Sequence, residues 1–378
     1  MSCMDIRGRV AIVGVGHSEQ GTLPGRTPEQ LSIEAIRSAL TDAQLTRDQI
    51  DGLITCKTIQ GGNTDVSLGP RFGLSPRYAQ TLNYGTCNFS LHLAVQAVLT
   101  GMADTVCLVY GANARSGKVD FAAVGSPSLE SASGFVHIAG PAAMALQRHK
   151  ALYGTTDEQF GSFAVAEREW ARLNPLAIFR DRMTIDDYLA RPYLVEPLRR
   201  EDVTMISDGG VALIVTSAER AKDHPNKPVY ILGMAEQSEI RGDSFDDYLM
   251  RPNIKKAGQQ IWQSTGFTPS DIDILYVQDP TAVWNLQMVE HYGFAPEGEG
   301  GPWAAEGHIR PGGSLPLNTN GGQLSERYMW GWLHIVEAVR QLRGTVEPER
   351  QVPDPELAMY CSTMAFSKSA CSIIGTHR

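Results

Sequence analysis

Residues 31–43 carry apolar side chains at helical spacing, at Leu31, Ile33, Ala35, Ile36, Ala39, Leu40 and Ala43. Thr27-Pro28-Glu29-Gln30 precedes them and supplies an N-cap and a first turn, so a helix is predicted there. A different signature stands at 10–13 and 105–110, where the run is apolar on both faces and bounded on each side, as in a buried central strand. Helical stretches return at 91–99, 142–153, 157–173 and 332–342. Asn174-Pro175 ends the third of these, because the residue before a proline avoids the α region. Gly14-Val-Gly16 lacks the third glycine of a dinucleotide fingerprint and reads as a tight turn; no GxxxxGK[ST] phosphate loop occurs. Ser207-Asp-Gly-Gly210 reads as another turn, with Asp208 as its polar residue.

Several of these elements occur twice in the same order. The segment at 45–54 (LTRDQIDGLI) aligns without gaps on 267–276 (FTPSDIDILY), Ile12-Val-Gly14 is matched by Ile231-Leu-Gly233, and Leu91-His-Leu93 by Leu333-His-Ile335. The spacing between the copies grows along the chain, as loop insertions would make it. The fold class expected is therefore α/β, built from two similar halves, 1–225 and 226–378, packed with helices between sheets. Within the first half, residues at about 112–220 are rich in Gly, Ser, Pro and Arg and are expected to form a loop domain that covers a site.

At 378 residues, with 42% hydrophobic and 20% charged positions, the chain has the composition of an ordinary globular protein. A formal charge of -9 without Lys/Arg runs argues against nucleic acid or an anionic membrane surface as partner, and favours small-molecule chemistry. The six cysteines are scattered with no CxxC pair, so neither a disulfide framework nor a metal site is expected. The first residues lack a signal-peptide pattern and no apolar run reaches ~18 residues, so the expectation is a cytoplasmic protein with no membrane span.

Tyr153-Gly-Thr-Thr156, Asn174-Pro175, Ser207-Asp-Gly209, Asn318-Thr-Asn-Gly-Gly322 and the closing region around Cys361 follow one another in the order found in the thiolase superfamily. Over essentially its whole length the chain most resembles the sterol-carrier/lipid-transfer-protein-like branch. The resemblance implies a thiolase-like five-layered αβαβα fold, a homodimer and acyl-coenzyme A substrates. Coenzyme A would enter as part of the substrate, with no tightly bound cofactor. Branch members often work with a small OB-fold, zinc-ribbon protein, so a partner subunit of that kind is implied as well.

Site residues carry over one position at a time. Counting from Gly321-Gly322, the histidine of the family's Gly-His-Pro falls on Tyr328. The nucleophilic cysteine at the start of a buried helix corresponds to Cys87 in one register; in the gapless one its place falls on Tyr84. Cys361 takes the place of the second cysteine, and the glycine two residues on in the family's Cys-x-Gly string is replaced by Thr363. Gln278 falls on the oxyanion-binding asparagine, Asp279 on the neighbouring acid, and His137 resembles a loop-domain histidine. Without the nucleophile's motif, the implied chemistry is retro-aldol cleavage of a β-hydroxyacyl-coenzyme A through an enolate. Gln278 would steady the enolate, Tyr328 would serve the hydroxyl or the enolate, and His137, Asp279 or Cys361 would be the second proton-transfer group. Two alternatives stand beside it: a thiolase or acyltransferase using Cys87 and Cys361, and a non-catalytic acyl-coenzyme A or lipid-binding subunit. His92 and His334, inside the repeat, read as packing or capping histidines, and Cys56, Cys107 and Cys371 as small core hydrophobes.

Overall fold

The first predicted helix forms over Pro28–Ala43 and starts in a capping box, in which Thr27 Oγ1 accepts the Gln30 N–H and Gln30 Oε1 accepts the Thr27 N–H. A computed structural model describes residues 6–58, 61–83, 86–121, 132, 137–238, 248–364 and 368–377. The strands are β1 (Val10–His17), β2 (Gly52–Lys57), β3 (Tyr78–Asn83), β4 (Thr105–Asn113), β5 (Tyr193–Val195), β6 (Leu198–Arg199), β7 (Asp208–Ser217), β8 (Val229–Ser238), β9 (Ile274–Val277), β10 (Leu357–Met364) and β11 (Lys368–Gly375). Nine of them form one sheet in the order β3-β2-β4-β7-β1-β8-β11-β10-β9, while β5 and β6 pair separately.

The sheet records the duplication. In the first half β2 runs parallel to β4, β7 is antiparallel to β4, and β1 is antiparallel to β7. The second half repeats this with β9 parallel to β10, β11 antiparallel to β10, and β8 antiparallel to β11. Where β3 pairs with β2 in the first half, the second has one parallel bridge, Leu317 to Leu275. The halves meet along β1 and β8, through the pairs Ala11–Tyr230 and Ile12–Val229.

Alternation along the strands divides the apolar residues among three cores. Val106, Leu108 and Tyr110 of β4, with Ala358 and Tyr360 of β10, face a central core that also holds Leu91 and Val95 of the helix Cys87–Leu99 and Ile335 and Val339 of the helix Trp332–Arg343. Cys107 and Val109 of β4 face outward, onto Ala35, Ile36 and Ala39 of the first helix. On the other side, Met359 and Cys361 of β10 meet Ile254 and Ile261 of the helix Pro252–Thr265 and Trp284 and Leu286 of the helix Ala282–His291. The result is five layers, αβαβα, in which each fully buried leucine or isoleucine contributes about 1.5–3 kcal/mol. No helix among the described residues is long and apolar enough to cross a membrane.

Two turn readings are corrected. Gly14 and Gly16 lie within β1, and they are glycines because the first helix presses on the strand: a Cβ at Gly14 would lie 2.5 Å from Ala39 O and 2.8 Å from Ala43 Cβ. Asp208 opens β7 as a fully buried carboxylate that gathers the backbone N–H groups of Leu23 (2.7 Å), Arg115 (2.8 Å) and Ser116 (3.0 Å). Since β4 and β7 flank it, the inserted segment occupies 114–207. Its helices Ala139–Tyr153 and Asp157–Leu173 pack on the outer face of the second half through Leu146, Phe160 and Phe163.

Candidate active site

The glycine pair at 321–322 begins the most constrained stretch of the chain. Asn318 adopts φ 47° and fixes the loop to the end of β9: its Oδ1 accepts the Val277 N–H (2.8 Å) and its Nδ2 donates to Val277 O (3.1 Å). Gly321 and Gly322, at φ 101° and 64°, lead into a single π-helical turn over Gly322–Glu326, all of it buried. A side chain at Gly322 would collide with Glu167 Oε2 and lie 2.6 Å from Asp279 Oδ2. Arg327 follows in extended backbone, anchored from Nε to Leu176 O (3.0 Å) and from Nη1 to Gln20 O. Trp330 and Gly331, both left-handed at φ 53° and 76°, then turn the chain into the helix Trp332–Arg343. This path leaves Tyr328 and Trp330 on the wall of a cavity of about 160 Å³.

Three other parts of the chain complete that cavity. The end of β9 contributes Gln278, β10 contributes Thr363, and the inserted segment contributes His137 and Thr204. The remaining wall is largely apolar, with Phe121 set edge-on to Tyr328 at 6.3 Å and 90°. Polar groups in such a setting interact more strongly than they would in water. Gln278 is held by two bonds: its backbone N–H donates to Cys361 O (2.8 Å), and its Oε1 accepts the Thr363 N–H (3.0 Å). Because the amide oxygen must face that donor, the Nε2 hydrogens are the polar end left for the cavity. His137 stands on the exposed rim, and its Nδ1 accepts the Ala139 N–H (3.2 Å), so the neutral ring carries its proton on Nε2. Partial desolvation lowers its pKa from the usual imidazole value, which favours that neutral form.

Behind this wall lies a buried polar chain that joins the insertion to the second half. Glu167 Oε1 accepts from Asn285 Nδ2 (2.8 Å) and Asn318 Nδ2 (2.7 Å), while its Oε2 faces no donor and stands against Asp279. Burial, reinforced by the Asp279 charge, pushes Glu167 well above the usual carboxylate range. Asp279 Oδ1 meets His334 Nε2 at 2.9 Å, His334 Nδ1 faces Asn320 Oδ1 at 3.3 Å, and Asn320 Nδ2 donates to Glu326. Asp279, expected as a proton-transfer group, is fully buried within this chain and does not line the cavity.

Glu326 ends the chain, and burial, followed by repulsion from Glu337, raises its pKa to about 7. The folded protein therefore holds a proton there that the unfolded chain loses near pH 4.5. Glu326's contribution to stability is complete below that pH, declines as pH rises, and is gone above about 7, a swing of up to about 3 kcal/mol. Glu326→Gln is expected to flatten this loss, seen as a smaller gap between urea midpoints at pH 5 and pH 8 than in the wild type.

The two cysteines proposed for covalent chemistry lie in packed cores. Cys87 begins the helix Cys87–Leu99, where the helix dipole favours a thiolate, but complete burial dominates and raises its pKa well above the ordinary thiol value. The cavity instead touches this helix through Thr86, whose Oγ1 lies 2.8 Å from Ser362 Oγ. Cys361 faces the outer core beside Tyr292 and Cys371, and burial pushes it up in the same way. Tyr84 lies outside the described residues. Sequence reading missed Glu167, although it falls on the buried stripe of its helix between Phe163 and Trp170, where a carboxylate needs a buried partner. It also read His334 as a packing residue, because nothing local announced Asp279 as its neighbour.

A family model described as "Thiolase C-terminal domain-like" matches residues 236–376. The 17-hydroxy-3-oxo-4-pregnene-20-carboxyl-CoA lyase of Mycobacterium tuberculosis is 35% identical over 367 residues, covering 90% of this chain and 93% of that protein. The steroid side-chain-cleaving aldolase of Thermomonospora curvata is 34% identical over 363 residues, covering 89% and 91%. Among solved structures, that of an Ltp2-ChsH2(DUF35) aldolase superposes with a TM-score of 0.89 at 32% identity, covering 98% of each chain. The αβαβα layering and the motif order agree with these likenesses: the chain belongs to the thiolase superfamily, on its sterol-carrier/lipid-transfer-protein-like branch.

Proposed function

We propose that the chain is an acyl-coenzyme A carbon–carbon lyase that cleaves β-hydroxyacyl thioesters of the steroid side-chain type by a retro-aldol step. The observation that carries this reading is the pairing of Tyr328 with Gln278 on one apolar cavity, Gln278's amide oxygen being already occupied. Tyr328, as its phenolate, takes the proton of the β-hydroxyl, and the Cα–Cβ electron pair moves into the thioester as an enolate. The Nε2–H of Gln278 receives the charge that grows on its oxygen. The former Cβ leaves as a carbonyl product, and Tyr328 hands the same proton on to Cα, which restores its phenolate, while the Nε2–H of His137 stays a hydrogen-bond donor at the cavity rim. The burial of Cys87 and Cys361 supports a route without a covalent intermediate. The reading extends to a homodimer assisted by a small OB-fold, zinc-ribbon subunit; the pairing of Ltp2 with ChsH2(DUF35) in the similar solved structure supports a partner subunit.

The test uses 17-hydroxy-3-oxo-4-pregnene-20-carboxyl-CoA, the compound named in the Mycobacterium tuberculosis relative. Breaking its C17–C20 bond in this way leaves a C17 ketone and propanoyl-coenzyme A, both of which chromatography resolves. Intact-protein mass spectrometry during turnover should show the unmodified mass. An acyl adduct that disappears in Cys87→Ala would instead establish the thiolase or acyltransferase reading. Binding without any cleavage would favour a lipid-binding subunit.

A further inference from the structure

Thr363 stands where the resemblance places a glycine, and its hydroxyl is held by unusual neighbours. Its Oγ1 accepts the indole N–H of Trp284 (2.6 Å) and a guanidinium N–H of Arg251 (3.3 Å). Arg251 is 1% exposed and its Cζ sits 3.5 Å from the Trp284 ring centroid, so the three groups form one buried cluster. A hydroxyl oxygen has two lone pairs, and here both are taken. The Thr363 proton must point in the one tetrahedral direction that remains. Thr363 lines the cavity, and no described residue accepts that proton. Its backbone N–H, meanwhile, is bound to Gln278 Oε1 and cannot turn to a substrate.

Resting on the lyase reading, we propose that Thr363 is a second oxyanion donor, acting beside Gln278 on the thioester enolate and aimed by Trp284 and Arg251. The same bond that joins Thr363 N to Gln278 Oε1 sets the two donors side by side, so one oxygen can receive both the Oγ1–H and the Nε2–H. The adjacent guanidinium polarises the hydroxyl through the bond it donates, which makes Oγ1–H a stronger donor than an ordinary threonine. A fixed donor of this kind costs no reorganisation as charge develops, and one such group typically changes kcat by about 10²–10³-fold.

The experiment compares Thr363→Val and Thr363→Ser with the wild type on 17-hydroxy-3-oxo-4-pregnene-20-carboxyl-CoA, after thermal melts have shown which variants fold. The expected result is a fall in kcat of about 10²-fold for Thr363→Val with KM little changed, the pattern of a bond made only in the transition state. Thr363→Ser should keep most of the rate. If Thr363→Val does not fold, Thr363→Ala carries the same expectation. A hydroxyl-free variant with wild-type kcat, or a Thr363→Ser variant that loses as much as Thr363→Val, overturns the proposal. A wild-type protein that fails to cleave the thioester overturns it together with the lyase reading, whereas wild-type cleavage with an unimpaired Thr363→Val removes only the role of Thr363.

Discussion

Tyr328→Phe is expected to lower kcat by about 10²–10⁴-fold, the usual worth of a positioned proton-transfer group, and to leave the melting temperature close to the wild type. The substitution removes one oxygen from a ring that would otherwise keep its place. That place is set by the backbone around it: Arg327 is anchored to Gln20 and Leu176, and Trp330 and Gly331 turn left-handed immediately after. The ring itself rests edge-on against Phe121 and is 8% exposed, so phenylalanine fills the same space. Product formation from the steroid thioester and a thermal melt read the two halves of the expectation separately. A variant that turns over at the wild-type rate would remove Tyr328 from the chemistry. A variant that melts early would mean that the residue serves packing.

Gly322→Ala is expected to destabilise the protein by about 3 kcal/mol or more and to abolish turnover with it. Two costs combine. A side chain at φ 64° costs roughly 1–2 kcal/mol, and driving a methyl group against buried neighbours costs about 1–3 kcal/mol more. Those neighbours are Glu167 and Asp279, two buried carboxyl groups at the point where the inserted segment is bonded to the second half. Pushing them apart would strain the bonds each makes to its own partners, Asn285 and Asn318 for Glu167 and His334 for Asp279. Gly312→Ala separates the two costs, since Gly312 has φ 80° but open space around it, and it should show the backbone cost alone. Urea midpoints of the two variants give the difference directly, and equal losses would remove the carboxyl pair from the explanation.

The layered fold was legible because its signals are periodic and local. The capped helix at 28–43, the proline stop at 174–175 and the doubly apolar strand at 105 onward all lie within a turn or two of the residues that cause them. The duplication was legible too, since β2 and β9 keep the Ile-Asp pair that introduces each of them. What failed was proximity across the chain. Gly14 and Gly16 follow from a helix that begins twelve residues after Gly16, and Asp208 collects N–H groups from Leu23, Arg115 and Ser116, which no local window contains. In the site, the structure brings Tyr328, Gln278 and His137 to one cavity. Residue type alone could not show that the Cys361 side chain points to the opposite face of its strand from Tyr360 and Ser362, or that Glu167 is buried beside Asp279.

The place of β11 in the sheet has a consequence for biosynthesis. This last strand is inserted between β8 and β10, and its Ser372 and Ala370 bond Asn88 at the start of the first central helix, more than 280 residues earlier. A ribosome emits β8 long before β11, whereas β10 precedes β11 directly, so the edge of β8 waits exposed until the β10–β11 hairpin emerges. Contacts of such sequence separation form slowly, and here they join the very segments that wall the cavity. A copy lacking that hairpin would therefore carry the unpaired edge of β8 into the cell, where it is open to association with other strands.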